Sequence, residues 1–209
     1  MRTVIVCLGD SLTAGVGSTP DAHHTWPDFL AARLVAERGS GNTFAVVNQG
    51  YSGNRLLRDG CGESALARFD RDVLAQAGVT DVIVFEGIND LAGAAFGERE
   101  DASPQEIVSA YRQMIRRAHD AGLRIHGATL TPFGGSAAYT PDGEAARAEV
   151  NAFVRSGGEF DGVFDFDAAV RDDAAPTRLS PRYDSGDHIH LTDAGYEALA
   201  NAVDLLRLR

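Results

Sequence analysis

The chain contains no lysine: all 19 of its basic residues are arginines, set against 30 Asp and Glu among 209 residues. Without lysine there is no Schiff-base amine, no lysine general base and no lysine for a phosphate loop, which excludes several enzyme classes at once. The formal net charge of -11 and isoelectric point near 4.9 supply no clustered positive charge, so neither nucleic acid nor an anionic membrane surface is expected as a partner. Cysteine is scarce. Cys7 and Cys61 form no metal-ligand spacing, and Cys7 lies inside an apolar run, where it reads as a buried free thiol. No charged n-region and apolar h-region follow Met1, so the chain as given is expected in the cytoplasm; a leader removed from a longer precursor would make it secreted.

What is present suits one globular domain, residues 1–209. At 44% hydrophobic residues the chain is long enough for one well-buried core and short for two. Val4 to Leu8 is an uninterrupted apolar run that reads as a strand buried on both faces, and it stops at Gly9, Asp10 and Ser11. Trp26 to Glu37 carries Trp26, Phe29, Leu30, Leu34 and Val35 at helical spacing, with Pro27 in the first turn. Phe44 to Val47 is the second strand, followed by a glycine-rich loop from Tyr51 to Gly62 and a helix from about Ser64 to Gln76. Asp81 to Phe85 is the third strand, closed by Glu86 to Asp90. Ser103, Pro104 and Glu106 open a helix that runs to about Ala121. Arg124 to Leu130, a loop from Phe133 to Gly143, a helix from Gly143 to Arg155 and a strand from Val163 to Phe166 come next. Residues 171–187 are irregular, and Thr192 to Leu206 is the closing helix. Strands that alternate with helices predict an α/β fold: a five-stranded parallel sheet between helix layers, with the flavodoxin-like order 2-1-3-4-5.

That order brings the ends of strands 1, 2 and 3 together. Ser11, Gly53 and Asn89 then share one sheet edge, and the late loop with Asp187, His188 and His190 can close over it. A serine hydroxyl is a poor nucleophile at neutral pH, so acyl transfer needs a histidine to take its proton and an acid to hold that histidine in one tautomer. His190 and Asp187 suit these roles. The Ser11 N–H, the Gly53 N–H and the Asn89 carboxamide suit an oxyanion hole. In a strictly extended segment His188 and His190 share a face, so extension does not choose between them. A turn does, because it brings an aspartate close to the histidine three residues later and so favours His190.

Gly9-Asp10-Ser11-Leu12, Gly53-Asn54, Gly87-Ile88-Asn89-Asp90 and Asp187-His188-Ile189-His190 resemble, in order, the four blocks of the SGNH or GDSL hydrolase family. The resemblance spans nearly the whole chain. It implies a serine esterase on a flavodoxin-like fold, with Ser11 as nucleophile, Gly53 and Asn89 as oxyanion donors, and His190 and Asp187 completing the triad. Val47 to Gly50, Gly53 to Leu57 and Ser64 to Leu74 are similar to a bacterial subgroup of esterase-like proteins associated with xylan-degrading gene clusters, which implies carbohydrate acyl esters. The loops expected to set the substrate, residues 13–26, 91–103 and 133–142, hold no decisive motif.

His23, Trp26 and Asn54 are candidate substrate-binding residues, since the first two follow the nucleophile loop and the third follows the oxyanion glycine. The histidines show no zinc-ligand spacing, and neither metal nor organic cofactor is expected. Rival readings are a lysophospholipase or thioesterase, a non-catalytic carbohydrate-binding relative, and phosphoryl transfer through Asp10. The last needs magnesium and a phosphate anchor, commonly a lysine. Because a free histidine titrates near about 6.5, kcat/KM for an ester is expected to fall below roughly that pH. A flat profile between about pH 5 and 8 would remove histidine as the base.

Overall fold

The computed structural model describes residues 2–38, 43–92 and 101–208. Of the loop expected at 91–103, residues 93–100 lie outside the described part. The sheet comprises β1 (Arg2–Gly9), β2 (Thr43–Gly50), β3 (Val79–Phe85), β4 (Arg124–Ala128) and β5 (Gly162–Phe164), all parallel, in the order β2-β1-β3-β4-β5. It is the flavodoxin-like order expected from the alternation. Parallel strands need long crossovers, and helices supply them on both faces. On one side α2 (Trp26–Arg38), α7 (Phe166–Val170) and α8 (Asp193–Ala202) pack together; on the other lie α3 (Ala65–Phe69), α5 (Pro104–Asp120) and α6 (Pro141–Ser156). Two short helices, α1 (Ser11–Ala14) and α4 (Ile88–Leu91), follow β1 and β3 directly.

The core is the sandwich interior. Ile5, Val6, Cys7 and Leu8 are fully buried, as a central strand covered on both faces requires. Against them Trp26 meets Phe166 edge-on at 5.4 Å between ring centroids, and Phe166 meets Phe85 at 5.1 Å. No helix among the described residues is long and apolar enough to cross a membrane.

Several expected elements differ in detail, among them the fourth strand, expected to Leu130, which ends at Ala128. The helix from Ser64 is α only to Phe69 and then widens into a π turn over Asp70–Leu74, where Ala75 N–H reaches back five residues to Asp70 O at 2.8 Å. The strand from Val163 ends at Phe164, because the Asp165 side chain accepts from Ala168 N–H and starts α7 at Phe166. The closing helix ends at Ala202, and Asp204 caps a separate 3₁₀ turn over Leu205–Arg207.

Helix α5 opens with a reciprocal cap: Ser103 Oγ accepts from Glu106 N–H at 3.3 Å, and Glu106 Oε2 accepts from Ser103 N–H at 2.9 Å. Ser103→Ala removes half of it. Urea unfolding is expected to show a loss of about 1 kcal/mol, with the m-value unchanged.

Candidate active site

Gly9 at the end of β1 is in register with Gly50 of β2 and Phe85 of β3, so three loops leave the sheet at one level. A Cβ on Gly9 would lie 2.5 Å from Phe85 O, and one on Gly50 would collide with the backbone of Ala14. Two glycines therefore let α1 fold back tightly over the strand ends. Asp10 Oδ1 accepts from Leu12 N–H at 2.8 Å and caps α1, which sets Ser11 as its first residue. A first helical residue has no intrahelical acceptor for its N–H, so the Ser11 hydroxyl and amide are both available at this edge.

From the far end of the chain the segment before α8 closes over it. Asp187 Oδ1 accepts from the N–H of Ile189 at 3.0 Å and of His190 at 2.8 Å, which folds the segment into a tight turn. The same turn brings Asp187 Oδ2 to 2.6 Å from His190 Nδ1, and His190 Nε2 stands 2.9 Å from Ser11 Oγ. With Nδ1–H donated to the carboxylate, Nε2 is the acceptor facing the hydroxyl. Partial burial acts to raise the Asp187 pKa, but the hydrogen bonds from His190 and Ile189 outweigh it and hold the carboxyl at about 2. Asp187 is therefore ionised wherever the protein works near neutral pH. Thr192 caps α8 behind this turn by accepting from Gly195 N–H at 3.3 Å.

Opposite His190, Gly53 sits in a turn at φ +75°, a left-handed conformation that glycine adopts at no steric cost. Asn89 is the second residue of α4, and one Nδ2 hydrogen donates to Asn54 O at 2.8 Å. The second amide hydrogen remains for a ligand. Ser11, Ser52, Gly53, Asn89, Ser136, Ala137, Ala138, Asp187, Ile189 and His190 line one cleft of about 370 Å³. The five residues expected to supply nucleophile, base, acid and oxyanion donors thus line a single concavity, and residues 136–138, within the loop 133–142 expected to set the substrate, form one of its walls.

The sequence profile of the GDSL-like lipase/acylhydrolase family matches residues 7–198. The chain belongs to this family. It is a carboxylic ester hydrolase on that ground. Solved structures agree in fold. The native aryl esterase of M. smegmatis superposes with a TM-score of 0.72 at 20% identity, covering 96% of this chain and 95% of that one. TesA gives 0.70 at 22% identity over 96% and 95%. A carbohydrate acetylesterase family member from Sinorhizobium meliloti gives 0.72 at 17% identity over 99% and 97%. A search of curated proteins returns no significant match.

The hydrolase corrects the three expected substrate-binding side chains. Trp26 is wholly buried in the core and donates Nε1–H to Thr13 Oγ1 at 3.2 Å, because its spacing on α2 turns it inward. His23 is exposed and stands outside the residues that line the cleft. Asn54 is buried, and its amide is spent on Cys61 O at 3.1 Å, Glu63 O at 2.8 Å and Arg68 Nε at 2.9 Å, so it shapes the turn after Gly53. Asp10 is enclosed and engaged in capping, outside the cleft. Cys7 is buried as expected, and Cys61 is exposed; both are free thiols.

A second histidine–carboxylate pair escaped sequence reasoning: His188 Nδ1 stands 2.5 Å from Asp184 Oδ2, with His188 held at φ +66°. Alternating with Asp187 and His190, it is tied away from them to its own acid.

Beneath the cleft three carboxyls, Asp10, Glu86 and Asp90, are buried, with the charge of Arg68 acting on Asp10 and Glu86 and those of Arg55 and Arg58 on Asp90. Burial raises Asp10 to about 7 and Asp90 to about 6, against hydrogen bonds from Leu12, Leu56 and Leu57 that act the other way. Burial, and then the charges of Asp10 and Asp90, push Glu86 well above the carboxylate range. A carboxyl raised in the folded state stabilises the fold fully below its unfolded pKa of about 4 and loses that contribution as pH rises through the folded value. The hydrolase's Tm is therefore expected to fall as pH rises from about 5 to 8. Asp90→Asn, which removes one titrating group from this set, should flatten that slope, and an unchanged slope would show that Asp90 does not titrate there.

Proposed function

We propose that this hydrolase is a serine esterase for short-chain, acetyl-type carboxylic esters, including those of carbohydrates. Ser11 is the nucleophile, His190 the general base and acid, and Asp187 the group that orients it. The observation that carries the proposal is the unbroken series Ser11 Oγ, His190 Nε2, His190 Nδ1, Asp187 Oδ2, with links of 2.9 and 2.6 Å, in the cleft that also holds Gly53 and Asn89.

As Ser11 Oγ attacks the ester carbonyl carbon, its proton passes to His190 Nε2 and the imidazolium is stabilised by the ionised Asp187. The carbonyl oxygen becomes an oxyanion, which accepts from Ser11 N–H, Gly53 N–H and the free Asn89 amide hydrogen. Collapse breaks the bond to the alcohol oxygen, which takes the proton from His190. Water then attacks the acyl-serine, with His190 removing its proton, and the acid departs with Ser11 restored.

The cleft argues for a small acyl group. Ala137, Ala138 and Ile189 give it a short apolar wall, and Ser52 and Ser136 line it beside them, which suits acetate better than a long acyl chain. The structural relative from Sinorhizobium meliloti, a carbohydrate acetylesterase family member, supports this choice.

With p-nitrophenyl acetate, Ser11→Ala and His190→Ala should each lower kcat by about 10⁴ to 10⁶-fold without additivity, and Asp187→Ala by about 10² to 10⁴-fold. His188→Ala should retain most activity, EDTA should have no effect, and an organophosphonate should label Ser11. Adducts on another residue, or an inactive His188→Ala beside an active His190→Ala, would overturn the assignment. Faster cleavage of palmitate than of acetate or butyrate would replace the short-chain reading with a lipase-like one.

A further inference from the structure

One guanidinium touches the loops of the oxyanion hole from below. Arg68 lies on α3 with 3% of its side chain exposed, and it presents five N–H donors in a planar fork. Nε donates to Asn54 Oδ1 at 2.9 Å and Nη2 to Gly9 O at 2.9 Å. Nη1 donates to Gln49 O at 3.0 Å and to Asp72 Oδ2 at 3.1 Å. The remaining donor faces Glu86 Oε2 at 3.9 Å, an oxygen with no hydrogen-bond partner.

The contacts to Gly9, Gln49 and Asn54 each lead to an oxyanion donor. Gly9 ends β1 and precedes Asp10 and Ser11. Gln49 is the penultimate residue of β2, just before the Gly53 loop, and Asn54 follows Gly53 directly. The Asn54 carbonyl takes one hydrogen of Asn89 Nδ2 at 2.8 Å and so aims the other. Gly9 O also accepts from Tyr51 N–H at 3.0 Å, which ties the same two loops a second time. None of the hydrogen bonds of Arg68 goes to Ser11, His190 or Asp187 among the described residues.

A buried charge is a poor source of stability, because desolvation offsets much of its Coulombic gain. A five-donor fork does something apolar packing does not: it sets the angles between polar loops. We infer that Arg68 is a positioning residue of the oxyanion hole, joining the ends of β1 and β2 and the Asn54 turn so that the Ser11, Gly53 and Asn89 donors converge. It touches no substrate. The inference rests on the esterase reading above and adds to it a residue outside the cleft.

The test is Arg68→Lys, which keeps the charge but has an ammonium too compact to span Gly9, Gln49 and Asn54. Sites are counted by phosphonate titration, so that kcat refers to folded, reactive enzyme. The expected result is a fall in kcat on p-nitrophenyl acetate of about 10²-fold, with KM within about threefold. The affinity for an alkylboronic acid, whose tetrahedral adduct places an oxygen in the hole, should fall by the same factor as kcat. If Arg68 only supports the fold, Tm and the number of titrated sites drop while kcat per site and boronate affinity stay at the parent values, and the inference is overturned. If Arg68→Lys does not fold, Asn54→Ala removes the Nε acceptor with Arg68 in place; it should lower kcat and boronate affinity together by about tenfold, and unchanged values overturn the proposal. Asp72→Asn serves as comparator, because Asp72 bonds to Arg68 but bears no donor loop: its kcat should equal the parent's, and a loss as large as that of Arg68→Lys would also overturn the proposal. Failure of the esterase reading is separate and seen first, as a parent enzyme that cleaves no ester.

Discussion

Three adjacent strands, β2, β1 and β3, end level with one another, and the rest of the site depends on that constraint. Because Gly9 pairs with Gly50 on one side and Phe85 on the other, the loops that hold Ser11, Gly53 and Asn89 start from one plane at the carboxyl edge of the sheet. The chain passes from β1 outward to β2 and then returns across β1 to β3, so the connections diverge at β1 and leave a crevice there. Had any strand been a residue longer, its loop would leave on the opposite pleat and its donor would face away from the others.

Holding the loops together in that crevice takes polar groups, and burying polar groups is costly. The solution is local saturation. Asp90 accepts from Leu56 N–H at 2.6 Å and Leu57 N–H at 3.0 Å, Tyr111 donates its hydroxyl to Glu86 O at 2.6 Å, and Arg68 answers the exposed ends of two strands at once. Burial of three carboxyls outweighs the charges of Arg68, Arg55 and Arg58 that act on them, and raised pKa values relieve the excess of acid by protonation. The cleft floor is therefore a network in which each loop is fixed through its neighbours, not through solvent-exposed ion pairs of low value.

Above the floor, the late segment is governed by its own backbone. Asp187 uses one carboxylate oxygen to organise the turn and the other to orient His190, so a single side chain supplies both the shape and the electrostatics. Asp193, one residue past the cap, accepts from Thr19 N–H and Oγ1, each at 2.7 Å, and meets His24 Nδ1 at 2.8 Å, which joins the loop after Ser11 to the helix behind His190.

Residue order by itself determined the alternation of strands and helices and the sheet order, because apolar period and turn chemistry are local properties written in adjacent residues, and it singled out Ser11, Gly53, Asn89, Asp187 and His190, which the fold brings to one cleft. It also favoured His190 over His188 as the partner of Asp187, since a tight turn over Asp187 to His190 is a matter of four residues, and the turn does set His190 Nδ1 against Asp187. Tertiary structure decided which faces look inward. Trp26, a candidate for substrate contact, is core because α2 packs its ring on Phe166; Asn54 is spent on Cys61, Glu63 and Arg68, partners supplied by the folded loop and α3. The four-residue helices α1 and α4 are too short to show a period, and the π turn after Phe69 shares its residue pattern with an ordinary helix. Arg68 stood in plain view as a cation on the buried side of α3, yet its three loop partners lie 59, 19 and 14 residues away, and only packing of α3 under the sheet edge brings Gly9, Gln49 and Asn54 within reach of one guanidinium.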